Sequence, residues 1–355
     1  KLASYSHGNP FLIFLFFTLA TAFFSAFLNN VTVILIMVPL TIALVQGMGF
    51  DAKPFVLAEI LFVNIGGAAT IIGDPTNTIV GTATKMSFND FVVNMGPIVL
   101  VVLFANLLIF YIVEWKALKP ISSDLPKLFV GHLLIQKLKY QFLSINFNKK
   151  FAIRIVGVLM LTIVAFFLQQ QLDLPIALIA LVGAVIGLFQ WGDHSVHKVL
   201  RKIEWSTLFF FTGLFVMVAG VEKTGVLEII GTWLVHATNN LPLLLLIILW
   251  ASALLSMLID NIPFVTVMIP VIFTVQAQLS GQPHVDLLWW ALLLGAILGG
   301  NGTMIGASGN VVGTDIAKRN GVKFTFFSFL KYSFPLMLVS LTLCSLYLMA
   351  RIYIF

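Results

Sequence analysis

Two short polar segments that carry an aspartate interrupt an apolar sequence, and their residue types suit ion binding. The first is GDPTN at 73–77, and the second is the pair Asp260-Asn261. An unpaired carboxylate at membrane depth is costly and usually marks an ion or proton pathway. No Lys or Arg is predicted deep enough to neutralise Asp74 or Asp260, so we expect both aspartates to bind and release H⁺ or Na⁺.

Each polar segment has a counterpart in the other half of the chain. Residues 25–39 align without gaps on 256–270, and the Ser, the second Asn, the Met and the Pro are identical. Residues 66–77 align on 299–310, with three Gly, one Thr, one Ile and one Asn matched. Chance similarity between apolar segments would match Leu and Ile but not Gly, Asn and Pro. The pattern therefore indicates an internal repeat.

The paired segments predict two kinds of interruption in each half. Two polar tips stand between apolar arms with no real loop, which predicts re-entrant hairpins. The Gly-rich segments predict helices broken inside the membrane, where released backbone groups must be satisfied by protein, water or a ligand. Helix N-termini offer donors to anions, and unwound carbonyls suit cations. Pairing tip with break gives two candidate half-sites for substrate and ion, namely Asn29, Asn30, Gly73, Asp74, Thr76 and Asn77 in the first half and Asp260, Asn261, Gly306, Ser308 and Asn310 in the second.

Some of these residues have an alternative role. Asp74 could serve only as the cap of the helix that follows it. Glu59 lies within an apolar helix and is either a third titrating group or an interfacial residue. The GASG at 306–309 fits the GxSG of intramembrane serine proteases, but no His lies inside an apolar segment to act as the base. We therefore do not expect an enzyme.

The composition sets the class of protein. Of the 355 residues, 60% are apolar and 10% are charged, whereas a soluble domain carries about 25% charged residues. A soluble enzyme and a nucleic-acid-binding domain are thus excluded. The apolar runs are continuous rather than alternating, which predicts an all-α polytopic protein in a lipid bilayer. They are 10–28, 30–46, 54–72, 91–113, 151–169, 174–190, 205–221, 242–259, 261–276, 287–305 and 333–354.

The basic residues predict the orientation. The net charge is +6, and the Lys and Arg lie in loops, most of all in the polar linker 114–150. The positive-inside rule places this linker in the cytoplasm. Its stretch Leu128–Phe147 could form an amphipathic surface helix or a solvated connection.

Counting membrane crossings predicts that the second copy is inverted. Five segments between the copies each cross once, and inverted repeats with interrupted helices are typical of secondary transporters. Residues 151–232 have no partner before Lys1, so we expect the natural protein to carry an upstream stretch of similar length, with about three membrane segments. The predicted division is a first repeat at 1–113 (hairpin 10–46, broken helix 54–86, helix 91–113), a cytoplasmic linker at 114–150 and a second repeat at 151–355 (scaffold helices 151–221, hairpin 242–276, broken helix 287–317, final helix 324–354).

Three motifs resemble a known superfamily. NIGGAATIIGDPTN at 64–77, GGNGTMIGASGN at 299–310 and WSTLF…VEKTG at 205–225 are similar to the ArsB/NhaD/P-protein ion transporters with a citrate-transporter-like domain. The resemblance implies a scaffold domain, a mobile transport domain, elevator-type alternating access and a homodimer. Related divalent anion–sodium symporters carry Ser-Asn-Thr at both hairpin tips. Here the tips read NNV at 29–31 and DNI at 260–262, which disfavours dicarboxylate binding.

The sequence therefore predicts a secondary transporter coupled to H⁺ or Na⁺ that moves a small inorganic ion or oxyanion, with arsenite efflux as the first candidate. Because Cys344 is the one cysteine, arsenite would have to bind as the neutral hydroxide. The alternatives are a Na⁺/H⁺ antiporter, a sodium-coupled di- or tricarboxylate transporter and a passive anion channel. We expect no cofactor other than the coupling ion, which could be Na⁺ near the two aspartates, no nucleic-acid partner, and a place in the bacterial inner membrane.

Overall fold

The computed structural model describes residues 9–118, 149–190, 200–201, 203, 205–238 and 240–354. Regular structure in these residues consists of sixteen helices. Seven of them are long and apolar enough to cross a membrane, which confirms the expected polytopic membrane protein. In chain order the helices are α1 (Pro10–Ser25), α2 (Asn30–Gly47), α3 (Lys53–Gly67), α4 (Pro75–Thr84), α5 (Phe88–Val113), α6 (Trp115–Leu118), α7 (Lys149–Phe167), α8 (Gln169–Leu172), α9 (Ile176–Phe189), α10 (Trp205–Glu222), α11 (Val226–Ala237), α12 (Leu241–Leu258), α13 (Asn261–Gln278), α14 (Leu287–Gly300), α15 (Ser308–Arg319) and α16 (Phe326–Tyr353).

Two helical hairpins carry the polar tips expected from the sequence. Helices α1 and α2 form the first hairpin, and Asn29 caps α2 by accepting a hydrogen bond from the Val31 N–H at 2.9 Å. Helices α12 and α13 form the second, and Asp260 caps α13 through the Ile262 N–H at 3.0 Å. A side-chain acceptor at the cap satisfies an N–H that the helix itself cannot pair, so each tip can turn without a long loop.

Two helices are broken at the Gly-rich segments. The chain is irregular between Gly67 and Pro75, where α3 ends and α4 begins, and again between Gly300 and Ser308, where α14 ends and α15 begins. Close backbone contact requires glycine nearby, because a Cβ on Gly66 would lie 2.1 Å from the Ala22 carbonyl oxygen. The glycines therefore let each broken helix pack directly against a hairpin.

The internal repeat is visible in matching hydrogen bonds. Ser25 Oγ donates to the Val63 carbonyl at 2.6 Å, and its aligned counterpart Ser256 Oγ donates to the Ala296 carbonyl at 2.7 Å. Two further pairs of bonds match in the same way: Asn77 Nδ2 to Thr70 O and Asn310 Nδ2 to Thr303 O, both at 2.8 Å, and the hydroxyls of Thr70 and Thr303 to the carbonyls of Ala26 and Met257. The two halves therefore share local structure as well as sequence.

The first halves of the broken helices form the centre of the molecule. Every residue of α14, and every residue of α3 after Lys53, is buried. In contrast, 6% of the residues of α7 and 11% of those of α10 are buried. Exposed apolar side chains carry no free-energy penalty when they face lipid, so these two helices are suited to the periphery of a membrane protein.

Two parts of the expected organisation need comment. Helix α11 is not among the apolar stretches that the sequence indicates, and it packs against α13. The linker 114–150 lies outside the described residues except at its ends, and so does the segment Leu128–Phe147.

Candidate functional site

The Asp74 carboxylate lies at the break of the first repeat and is 2% exposed. Its residue is extended, at φ −131° and ψ 140°, immediately before α4. Oδ1 accepts hydrogen bonds from the Thr76 N–H at 2.9 Å and from Thr76 Oγ1 at 2.6 Å. Asp74 is therefore the cap of α4, as one of the two interpretations of the sequence proposed, but this role uses one oxygen.

The second oxygen of Asp74 is held by the tip of the first hairpin. Asn30 Nδ2 donates to Asp74 Oδ2 at 2.9 Å, and Asn30 itself is 4% exposed. The Ser25 hydroxyl fixes this amide, because its single proton is shared between Asn30 Oδ1 and the Val63 carbonyl. The structure thus brings together the tip and the break that the sequence pairs in the first half.

A buried amide on α3 connects this group to the second repeat. Asn64 Nδ2 donates to Asn301 Oδ1 at 2.7 Å and to Asn310 Oδ1 at 2.8 Å, and Asn64 Oδ1 lies 3.3 Å from Asn30 Nδ2. Asn301 in turn donates to the Leu61 carbonyl at 3.0 Å. A continuous polar network therefore runs from Asp74 to the break of the second repeat.

The sequence did not single out Asn64 and Asn301 as site residues. Each is one amide within or beside a long apolar run, and neither has a polar counterpart in the repeat, since Asn64 aligns with Ile297 and Asn301 with Ala68. That mismatch is itself the signal that could have found them.

Asp260, at the tip of the second hairpin, faces the break of the first repeat. It is half-buried, and its carboxylate interacts electrostatically with that of Asp74. Its neighbour Asn261 is 4% exposed and is the first residue of α13, which packs against α4, the helix that Asp74 caps. The two carboxylates therefore share one region, although they come from different repeats.

The packing of the helices explains this meeting. Helix α13 packs against α4, and helix α2 packs against α15, so each hairpin lies on the broken helix of the other repeat. A Cβ placed on Gly309 would lie 3.7 Å from Asn30 Cβ, which puts the start of α15 beside the first tip. In the described part of the chain, we find no hydrogen bond from Asp260 or Asn261 to Ser308 or Asn310. A side-chain hydrogen bond therefore joins the predicted tip and break residues in the first half. In the second half, the hairpin and the break are joined by the Thr303 hydroxyl, which donates to the Met257 carbonyl.

Asn77 and Asn310 hold the breaks closed. Asn77 Nδ2 donates to the carbonyls of Gly67 and Thr70, and Asn310 Nδ2 donates to those of Gly300 and Thr303. These bonds satisfy carbonyls that the broken helices release. Asn77 Oδ1 is buried and has no hydrogen-bond partner among the described residues, so an acceptor oxygen remains free beside the first break.

The remaining predicted residues lie at the edges of the site. A Cβ on Gly73 would be 2.4 Å from the Gly67 carbonyl oxygen, and one on Gly306 would be 2.7 Å from the Gly300 carbonyl oxygen, so both glycines are required by the shape of the breaks. Ser308 is half-buried at the first position of α15. Ala307, which precedes it and aligns with Asp74, offers no side-chain acceptor to the helix.

Comparison with known proteins identifies the family. The profile of the family described as "Citrate transporter" matches residues 1–295. The chain belongs to the citrate transporter family. A 46 kDa membrane protein of Mycobacterium leprae is 36% identical over 361 residues, which cover 98% of this chain and 79% of that protein. An uncharacterized transporter of Mycobacterium tuberculosis is also 36% identical, over 99% of this chain and 79% of its own length.

The P protein of Homo sapiens is a further relative, 33% identical over 97% of this chain and 49% of its own length. The resemblance to the ArsB/NhaD/P-protein superfamily is therefore confirmed. This member of the citrate transporter family is a membrane transporter.

In this member of the citrate transporter family, a cavity lies next to the site around Asp74. Its volume is about 680 Å³, and helices α4, α10 and α13 line it. Asn29 lies on its wall, next to the residue whose amide holds Asp74. Glu222 is the one charged residue among those that line it, and apart from the amide of Asn29 the other lining residues are apolar or carry hydroxyls. The cavity therefore leads to the tip of the first hairpin without passing a basic side chain.

Proposed function

We propose that this chain is a secondary active transporter that uses H⁺ or Na⁺ as its coupling ion and moves a small inorganic ion or oxyanion. The observation that carries the proposal is the position of the Asp74 carboxylate. It is buried, its two oxygens are held by Thr76 and Asn30, and it lies beside Asp260. No salt bridge to either aspartate occurs among the described residues.

A cation resolves the electrostatic problem that these two carboxylates pose. Two ionised carboxylates in a buried site repel each other, and each loses hydration that no basic side chain replaces. A proton on one of them, or a Na⁺ held by their oxygens, cancels one of the two charges and so lowers both costs. Na⁺ suits such a site because hard cations prefer carboxylate and carbonyl oxygens. The free Asn77 Oδ1 beside the same break is a further oxygen of the type that Na⁺ requires.

The second break supports a substrate that carries oxygen atoms. Ala307 leaves the N-terminus of α15 without a side-chain cap, and Asn30 lies next to Gly309. A helix N-terminus offers N–H donors and a partial positive charge, which suits an oxyanion or a neutral hydroxide. Arsenite is the first candidate. It would bind as the neutral trihydroxide, because Cys344, buried in α16, is the one cysteine and cannot form a site of several thiols.

A Na⁺/H⁺ antiporter is the second candidate. The closeness of Asp74 and Asp260 favours it, because two carboxylates in one region could exchange one ion for the other. A di- or tricarboxylate substrate fits less well, since no Lys or Arg lines the cavity that leads to the site.

The architecture that we propose for transport is an elevator. The two hairpins and the two broken helices would form the mobile domain, and the second repeat would be inverted in the membrane relative to the first. Helices α7 and α10, whose side chains are largely exposed, would belong to the scaffold and to a homodimer interface. We place the protein in the bacterial inner membrane with the linker 114–150 in the cytoplasm.

Proton flux in proteoliposomes tests the proposal. The full-length protein would be reconstituted with a pH dye inside, and NaCl, arsenite or citrate would be added in turn. Proton movement with arsenite alone would support arsenite transport, and movement on Na⁺ alone would identify an antiporter. Movement with citrate alone would identify a carboxylate transporter, and voltage-driven flux without proton coupling would identify a channel.

Variants make the same assay specific for the site. Asp74→Asn and Asp260→Asn should each abolish coupled flux. Asp315→Asn is the matched control, because Asp315 is an exposed carboxylate that bonds Arg319 at 2.8 Å on α15. Flux at the wild-type level in both site variants would contradict the proposal.

A further inference from the structure

A third buried carboxyl group lies in the core and has no part in the site described above. Glu59 is in the middle of α3 and is 0% exposed. The hydroxyl of Thr41, on α2, donates a hydrogen bond to its Oε1. Its Oε2 has no hydrogen-bond partner among the described residues. The sequence left open whether Glu59 is a third titrating group or an interfacial residue, and the structure shows that its side chain is enclosed by protein.

Among the described residues, no charged group forms an ion pair with Glu59. Helix α3 packs against α1, α2, α5, α14 and α15. Helices α1, α2 and α14 contain no charged residue. On α5, Asp90 is bound to Ser87 at the N-terminus, and at the other end the Tyr111 ring contacts those of Phe11 and Trp115 in tilted and edge-to-face arrangements. On α15, Asp315, Lys318 and Arg319 are exposed. An ionised carboxylate without a partner in such surroundings is strongly unfavourable, so Glu59 carries a proton in this conformation.

The internal repeat shows that the fold does not need a carboxyl group at this position. In the alignment, Thr41 corresponds to Ile272 on α13 and Glu59 to Leu292 on α14. Both are 0% exposed, and α13 packs against α14 as α2 packs against α3. Two apolar side chains therefore fill the equivalent contact in the second repeat. The polar pair in the first repeat adds an unsatisfied oxygen and a desolvation cost, which points to a role other than packing.

We infer that Glu59 is a proton-binding group of the transport cycle, which gives its proton to water only when α2 moves away from α3. The inference rests on the proposed function in one respect, since it takes the first hairpin to open away from α3 within the mobile domain during transport. In the release step the O–H bond of the carboxyl group breaks, the proton passes to a water molecule, and the carboxylate is solvated in the opened contact. Before α2 can pack against α3 again, the Glu59 carboxylate must bind a proton.

The same face of α2 links Glu59 to the aspartate site. Asn30 and Thr41 are eleven residues apart, which is close to three helical turns and about 16 Å along the axis. Asn30 contacts Asn64 at one end of this face, and Thr41 bonds Glu59 at the other. A movement of α2 away from α3 therefore breaks both contacts together. Occupation of the Asp74 site and protonation of Glu59 are thereby coupled, although they are separate sites.

Infrared difference spectroscopy of the full-length protein in lipid, between acid and alkaline buffer without any transported substrate, tests the inference. Wild type should lose a protonated-carboxyl band at alkaline pH. Because Asp74 and Asp260 are also proposed to titrate, the band of Glu59 is the component that is missing from the difference spectrum of Glu59→Gln and of the double variant Thr41→Ile/Glu59→Leu, which reproduces the apolar pair of the second repeat. It should persist in Asp74→Asn and in Asp260→Asn. The double variant should fold as well as wild type, because the second repeat holds the same pair.

The outcomes separate this inference from the proposed function. A band that does not change with pH, or that is the same in wild type and Glu59→Gln, would overturn the role of Glu59. Proteoliposomes add a second readout with NaCl or arsenite as probe, in which Glu59→Gln should lose the pH dependence of flux while Asp74→Asn loses flux itself. If the wild type gave no flux with any probe while the band still titrated, the proposed function would fail and the proton site at Glu59 would stand.

Discussion

Asn64 Nδ2 donates a hydrogen bond to Asn310 Oδ1 at 2.8 Å, and so a residue of the first repeat helps to hold the break of the second. The bond has no counterpart in the opposite direction, because position 297, which aligns with Asn64, is Ile. The site is therefore asymmetric although the two repeats are built alike.

Asn64→Ile should destabilise the protein and lower transport. The substitution leaves the acceptors of Asn301 and Asn310 buried without this donor, and each such loss costs about 1–3 kcal/mol. Thermal unfolding in detergent measures the first effect and proteoliposome flux the second. Asn106→Leu is the control, because Asn106 is an equally buried amide that bonds Ser340 at 2.7 Å away from the site. Unchanged flux in Asn64→Ile would contradict a role in the site.

Two variants of Asp74 should separate the cap from the charge. Asn caps a helix as well as Asp does, so Asp74→Asn should keep the cap of α4. It should lose ion coupling and the bond from Asn30, because the new Nδ2 cannot accept from Asn30 Nδ2. Asp74→Ala should lose coupling and also about 1 kcal/mol of stability, because the Thr76 N–H loses its acceptor. Thermal unfolding and coupled flux distinguish the two effects. Equal stability of both variants would mean that the cap contributes nothing.

Ala307→Asp should give the second repeat the carboxylate cap that the first repeat has. Because α15 has no side-chain cap, the new carboxylate should add a cap worth about 1 kcal/mol. Ala307 is 3% exposed, so the desolvation of the carboxylate should offset that gain. The added charge lies where an oxygen of the substrate is proposed to bind, so flux with arsenite should fall by about tenfold or more, which corresponds to about 1.4 kcal/mol of binding. Dye-loaded proteoliposomes measure the change, and flux that stays at the wild-type level would place the substrate elsewhere.

Gly66→Ala should disrupt the packing of the first hairpin on α3. The new Cβ would lie 2.1 Å from the backbone oxygen of Ala22, which cannot turn aside as a side chain can. A loss of about 1–3 kcal/mol is expected for such overpacking. Gly213→Ala in α10 is the control, because nothing lies within 4 Å of its Cβ position, and it should be neutral or stabilising. Equal unfolding temperatures would contradict the close contact.

The sequence predicted where the helices are interrupted, because Gly, Pro and Asn at matched positions of the two repeats disfavour a continuous helix there. The tips at Asn29 and Asp260 and the breaks before Pro75 and Ser308 all lie where the repeat placed them. Helix α11 was missed since its twelve residues include Glu228 and His236 and form no long apolar run.

The sequence could not predict which elements meet across the repeats. Its spacing pairs each tip with the break that follows it, but the packing of α13 on α4 and of α2 on α15 depends on the whole fold. The two interpretations of Asp74, as a cap or as a ligand, were also not exclusive, because a carboxylate has two oxygens and the structure uses each in a different way.

The hydrogen bonds that Asn64 makes across the two repeats also constrain how the protein is made. When the first repeat enters the membrane, the residues that accept from Asn64 have not yet left the ribosome, since they lie at positions 301 and 310. Asn64 therefore cannot form both hydrogen bonds until the chain has been translated as far as residue 310. The polar interior is thus assembled late in biogenesis, and a chain that ends before residue 301 would leave the Asn64 amide without either of these two acceptors.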